Sequence, residues 1–290
     1  MPIRCYIQQV KNIWRHPSNY ENRFGAIIRS ARQYYTCLIR GQEISIPAFG
    51  YDLFLDPNAK FSRSYIYYTA LKDYHPMSFI QRYLKENDFF IDAGANIGVY
   101  SLLASSLVGL EGCVYSFEPV PTTFHRLQKN IAQNRIKNIK SFQVALGEKT
   151  EQLQFTVDED ETNHVVSDKS QRLTVSVPSM PLSEAVPMDA SWAMAKVDLE
   201  GYELFFLRGA RNLLEKLNPP VLLLEINNSF SRYGYLANDI YSFLENFGYQ
   251  AATYNANLNQ LSFDEATWND VLFISKAHRG FVQQRLDTFS

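Results

Sequence analysis

Phe89-Phe90-Ile91-Asp92-Ala93-Gly94-Ala95-Asn96-Ile97-Gly98 is an apolar run that stops at a carboxylate and opens into a turn carrying two glycines. An apolar segment of helical character follows at once, through about Val108. That order predicts a strand, a tight turn and a helix N-terminus. Backbone can pass close to a nucleoside ligand at such a place only where side chains are missing, which is the use of Gly94 and Gly98. A second acid, Glu118, ends the next strand-like run, Val114-Tyr115-Ser116-Phe117. An acid there is placed to hold the two ribose hydroxyls of an adenosine.

The spacing narrows the ligand. Gly94 and Gly98 stand as Gly-x-x-x-Gly, whereas dinucleotide turns use a middle glycine to approach the pyrophosphate and a third for helix packing. Ala95, Asn96 and Ile97 fill the turn here, and a carboxylate at Asp92 repels phosphates. Asp92 suits a ligand with a cationic amino group instead. S-adenosylmethionine offers adenosine, a sulfonium and an ammonium, and no phosphate. Asp92, Gly94, Asn96, Gly98 and Glu118 are therefore the cofactor-binding candidates. Gln143, Val144 and Ala145, at the end of the third strand, are placed to line the adenine.

From residue 88 the chain alternates strand and helix. Strands are expected at 89–93, 113–117, 139–145, 193–199, 221–226, 249–254 and 271–275. Such alternation demands a mainly parallel sheet with helices on both faces, and ligands sit beyond the carboxyl ends of its strands. Two alternating segments, 153–157 and 173–177, interrupt the rhythm and read as an inserted antiparallel pair near 150–178. Residues 1–75 form an N-terminal extension. It reads as helical, then a hairpin around Phe49-Gly50, then a helix over 61–86 that carries Tyr65, Tyr67, Tyr68 and Tyr74 and is interrupted at Pro76. Residues 76–290 form the ligand-binding domain.

Lys196-Val197-Asp198-Leu199-Glu200-Gly201 is the second informative stretch. Alternation along a strand puts Lys196, Asp198 and Glu200 on one face. Three charges on a buried strand are costly unless they pair or perform chemistry, and Glu225 adds a fourth at the next strand end. Asp198 can orient a hydroxyl or accept its proton, and Lys196 can stabilise developing alkoxide charge. A buried ion-pair network, Lys196 with Asp198 or Glu225, is the structural alternative. Asp198, Glu225 and Asn227 could hold a divalent cation through oxygen. His164, in the insertion loop, is the best-placed histidine for a general base.

The sequence has 290 residues with a net charge of −2, so nothing global points to nucleic acid. Charge is uneven: Arg4, Lys11, Arg15, Arg23, Arg29, Arg32 and Arg40 face a single acid, Glu21, in the first 40 residues. A basic segment of this kind meets an acidic substrate, a membrane surface or an acidic protein face. Cys5, Cys37 and Cys113 are too widely spaced for a metal site or a disulfide framework. With no signal-peptide start and no apolar run approaching about 18 residues, the chain reads as cytoplasmic and without a membrane span.

Phe90 to Ser101, Phe117-Glu118-Pro119 and Lys196-Val197-Asp198-Leu199-Glu200-Gly201-Tyr202-Glu203 together resemble the FkbM-type methyltransferases. Ala145-Leu146-Gly147 and Leu224-Glu225-Ile226 fit the same order. The resemblance spans about 75 to 275. It implies the class I S-adenosylmethionine-dependent fold, a Rossmann-like seven-stranded sheet whose last strand is antiparallel. It also implies O-methylation of a hydroxyl on a sugar or other small natural product. By match, Asp92, Gly94, Asn96, Gly98 and Glu118 carry over to the cofactor, and Lys196, Asp198 and Glu200 to the active-site strand end. Two departures, His75 after Tyr74 and Ser183 after Pro181-Leu182, lie toward the substrate side. A small-molecule hydroxyl acceptor is the expected partner, with a homodimer possible through the 1–75 segment, which would serve as a lid or dimer contact. A nicotinamide-dependent oxidoreductase and a non-catalytic cofactor-binding scaffold are the rival readings.

Overall fold

The computed structural model describes residues 3–56, 71–157, 163–166, 173–263 and 269–288. Tyr65, Tyr67 and Tyr68, and most of the loop joining the two inserted strands, lie outside the described residues. The chain divides into two compact units, Met1–Ser78 and Phe79–Ser290.

The first unit starts with two helices, Ile3–Arg15 and Arg23–Tyr34, the second continuing helically through Ile39. Asn22 caps the second helix, its side-chain oxygen accepting from the Gly25 N–H at 2.8 Å. The expected hairpin follows as β1 (Ile44–Ala48) and β2 (Tyr51–Leu55), antiparallel with Ala48 opposite Tyr51. Phe49 and Gly50 both have positive φ, 57° and 81°, the backbone a two-residue turn needs to match strand twist. The helix expected over 61–86 is described from Tyr74 to Tyr83, with Pro76 in its first turn, where the missing N–H costs no bond.

The second unit is built on β3 (Phe89–Ala93), β4 (Cys113–Phe117), β5 (Ile139–Phe142), β6 (Ala145–Leu146), β7 (Glu151–Thr156), β8 (Thr174–Met180), β9 (Trp192–Val197), β10 (Val221–Glu225), β11 (Tyr249–Asn255), β12 (Gln260–Ser262) and β13 (Asp270–Ser275). The main sheet runs β5-β4-β3-β9-β10-β13-β11-β12. The first five strands are parallel, and β13 enters antiparallel to β10. It is the class I order, with one strand more than the seven expected. The short β12 extends the edge by folding back on β11. Every residue of β4 and β9 is buried, as in a sheet covered on both faces. Chain order reverses between β3 and β9, so a crevice opens beyond their carboxyl ends.

The expected third strand, 139–145, is two elements. Phe142 ends β5 in the main sheet, and Ala145–Leu146 leave to pair with β8, so the insertion is a three-stranded sheet, β6-β8-β7, and not a lone pair. Val120, Ala145, Phe155, Val165, Val177 and Tyr202 form the apolar cluster that seats it on the main body.

Candidate active site

Parallel register places the second charged strand against the glycine turn. Asp92 of β3 pairs with Lys196 of β9, and Ala93 with Val197. Chain direction turns sharply after Ala93: Gly94 has φ +78°, and a Cβ there would lie 1.9 Å from the Asp198 carbonyl oxygen. Only glycine allows that approach. The N–H groups of Gly94 and Ala95 both donate to the Phe117 carbonyl, at 3.0 and 2.9 Å, tying the turn to the end of β4. Gly98, at φ +96°, opens the helix Val99–Val108 and packs where a Cβ would meet Leu127 at 2.6 Å.

Asn96 has φ +50° and closes the turn with its own side chain, whose oxygen accepts from the Ile97 N–H at 2.8 Å. Its backbone N–H donates to Glu118 Oε2 at 3.0 Å, and Val120 N–H donates to Glu118 Oε1, also at 3.0 Å. Glu118 is buried, and burial pushes its carboxyl up to about 7 against those two backbone donors. Each of its oxygens keeps a lone pair beyond the one a backbone donor uses, so the carboxylate can still accept a diol. Gln143 is exposed just past the end of β5, whereas Val144 and Ala145 are interior side chains.

Asp92 is fully buried, and its neighbours are the chain's own. Ser101 donates to Asp92 Oδ2 at 2.6 Å and shares a 2.7 Å hydrogen bond with Ser116. Oδ1 has no hydrogen-bond partner and faces the Lys196 ammonium at 3.9 Å. Burial raises the Asp92 carboxyl, against the lowering pull of Lys196 and Ser101. The cation expected from a ligand's amino group is therefore supplied by Lys196, because the register sets the two side by side.

Lys196 is buried and donates to the Gly94 carbonyl and to Asp198 Oδ2, each at 3.1 Å. Its ammonium also lies 5.1 Å from the Tyr100 ring centroid. Burial alone would lower its affinity for a proton, but Asp198 and Asp92 more than reverse that, so it stays charged. With these two bonds Lys196 links the turn to the strand end, and its ammonium has a third N–H.

Asp198, Glu200 and Glu225 bring carboxylate oxygens within 4.8 Å of one another. Burial first, then the Asp198 and Glu200 charges, push Glu225 up to about 9. Asn227, expected among the oxygen ligands, adjoins the cluster through Glu225. Its side-chain oxygen accepts from the Ser229 N–H at 2.7 Å, capping the next turn, and its amide donates to Glu225 at 2.8 Å. Glu200 is the third carboxylate of the cluster. His164 stands in the insertion, buried, with its N–H donating to Thr156 Oγ1 and its carbonyl accepting from Thr156 N–H, both at 3.1 Å. The bonds that join Asp92, Gly94, Lys196 and Asp198 do not pass through it.

Residues 92–251 match the Methyltransferase FkbM domain, more than half of the chain. The chain belongs to the FkbM methyltransferase family. Among curated relatives, it is 29% identical over 147 residues to Methyltransferase 1 of Beauveria bassiana, covering 43% of this chain and 59% of that one. It is 29% identical over 138 residues to the hexuronic acid methyltransferase AglP of Haloferax volcanii, covering 46% of this chain and 54% of that one. The chain thus spans little more than half the length of these relatives. Among solved structures, the methyltransferase FkbM of Methylobacillus flagellatus aligns at 18% identity with a TM-score of 0.44, covering 66% of this chain and 44% of that one.

Within this FkbM chain, three groups were given no role by sequence reasoning. Ser101 and Ser116 are buried polar residues in apolar elements, a pattern that signals an internal hydrogen bond. Glu203 is the third. Its carboxylate accepts from Leu199 N–H at 2.8 Å and Gly201 N–H at 3.3 Å, and burial pushes it up to about 8. It clamps the loop in which Glu200 and Gly201 adopt positive φ, 54° and 97°. Tyr235 holds the same loop by donating to the Gly201 carbonyl.

Proposed function

We propose that this chain is an S-adenosylmethionine-dependent O-methyltransferase acting on a hydroxyl of a small natural product or sugar. One observation carries the reading: the Lys196 ammonium bonds both the Gly94 carbonyl and Asp198, 3.1 Å each, so the nucleoside turn and the charged strand end form one site. Membership of the FkbM family supports the reaction, and the hexuronic acid relative supports a sugar-type acceptor.

The Gly94–Gly98 turn and Glu118 would hold the nucleoside, Glu118 accepting from the ribose hydroxyls, with Gln143 toward the adenine. When bound, S-adenosylmethionine supplies a methyl group on a sulfonium, and its transfer to a hydroxyl oxygen releases that hydroxyl's proton. Asp198 is partly exposed at the strand end and is the carboxylate placed to orient the hydroxyl and take the proton. Burial and the Asp198 and Glu200 charges push the neighbouring Glu225 carboxyl up to about 9, which favours its protonated form and leaves Asp198 as the proposed base. Lys196 fixes Asp198 and the turn in one geometry. The acidic cluster already has a cation in Lys196, bonded to Asp198, so turnover should persist in the presence of a chelator.

The test is a screen of small-molecule extracts for a mass gain of one methyl group in the presence of S-adenosylmethionine. Asp198→Ala should cut methylation at least about 100-fold while leaving S-adenosylhomocysteine binding within a few-fold. Undiminished methylation in that variant would remove Asp198 from the chemistry.

A further inference from the structure

The second helix is apolar on the wrong side. Its buried face carries small residues, Ala26 and Ser30. The opposite face presents Phe24, Ile28 and Tyr35, at spacings of four and seven that share one helical stripe. Ile39 follows four residues later. These four side chains are 71, 70, 52 and 61% exposed. A helix that packed only on its own protein would reverse this arrangement.

Basic groups rim the stripe. Arg29, Arg32 and Arg40 are exposed beside it. The Arg40 guanidinium lies 5.3 Å from the Tyr35 ring, and the Arg23 guanidinium lies between Trp14 and Tyr20, 5.3 and 4.9 Å from their rings. Tyr20 is itself half exposed, and Trp14 meets Phe24 edge-on with centroids 5.2 Å apart. Only Glu21 opposes seven basic residues over the first 40.

We propose that this face docks on an anionic lipid surface, with Phe24, Ile28, Tyr35 and Ile39 entering the headgroup boundary and the arginines meeting lipid phosphates. Aromatic and aliphatic side chains backed by cations, with almost no acid, are what an interfacial helix requires. An acidic protein would match the charge but leave the apolar stripe uncovered, and a second copy would match the stripe but set Arg29, Arg32 and Arg40 against the same arginines of its partner.

Flotation of the full chain with vesicles of phosphatidylcholine alone, and of phosphatidylcholine with phosphatidylglycerol, tests this. Binding is expected only with phosphatidylglycerol and should weaken as salt is raised. Arg29→Gln with Arg32→Gln should weaken it about fivefold per arginine, and Phe24→Ser with Ile28→Ser at least about tenfold. Both variants should keep the helical circular-dichroism signal and the melting profile of the unmodified chain, which shows that they fold. Absence of vesicle binding, or equal binding to the uncharged vesicles, would overturn the proposal. So would a dimer in light scattering that Phe24→Ser with Ile28→Ser dissolves, since a second copy would then cover the face.

Discussion

Glu118 is the residue whose setting most directly tests the cofactor site. Two backbone N–H groups hold it, and burial raises its carboxyl to about 7. Only the ionised form accepts charge-assisted bonds from a ribose diol, so S-adenosylhomocysteine affinity should fall as pH drops through about 7. Titrations across that range check this, and a flat profile would place Glu118 outside the contact. Glu118→Ala should lose about 1.5–3 kcal/mol of binding, roughly 10- to 150-fold. The position of Glu118 was legible from sequence because it depends on a strand end and a glycine turn, both local. The partners of Asp92 were not, because Lys196 reaches it from a strand 104 residues away, through a register no local pattern encodes.

At the scale of elements, the loop after β9 is held by the helix that follows it. Glu203, in that helix's first turn, accepts from the Leu199 and Gly201 N–H groups and keeps Glu200 in a backbone region that costs a non-glycine residue about 1–2 kcal/mol. Glu203→Ala should destabilise the fold by about 1–3 kcal/mol in urea unfolding, because two N–H groups lose their acceptor. Glu203→Gln keeps an acceptor and resembles the protonated carboxyl present below about 8, so it should be nearly neutral there. The sequence marked this loop by its charges but not by its clamp. It also ran β5 and β6 together, since Gln143 and Val144 continue the mixed polar and apolar run from Ile139 without a glycine or proline to mark where the chain changes sheets.

For the molecule as a whole, alternation of strands and helices from residue 88 was enough to anticipate the mainly parallel sheet, while its antiparallel closing strand was expected only from the resemblance to the FkbM-type methyltransferases. The added β12 was not anticipated, because three residues folding back at an edge carry too little pattern. Three carboxyls with raised values shape the pH response together: buried Glu118 and Glu203 and half-buried Glu225 are raised to about 7, 8 and 9. The folded chain therefore holds more protons than the unfolded chain between about 4.5 and 9. Their stabilising contribution is complete below the unfolded value and is lost as pH rises through the folded ones. Melting temperature should decline from mildly acidic pH toward pH 9, and a rise over that interval would contradict the burial assigned to these groups. At the same scale lies the central claim, that the crevice between β3 and β9 holds a sulfonium nucleoside and not a dinucleotide. Isothermal titration of the purified chain with S-adenosylhomocysteine and with NAD decides it. Saturable binding of S-adenosylhomocysteine, weakened in Glu118→Ala, with no heat from NAD, is the result expected. Binding of NAD without S-adenosylhomocysteine would contradict the account.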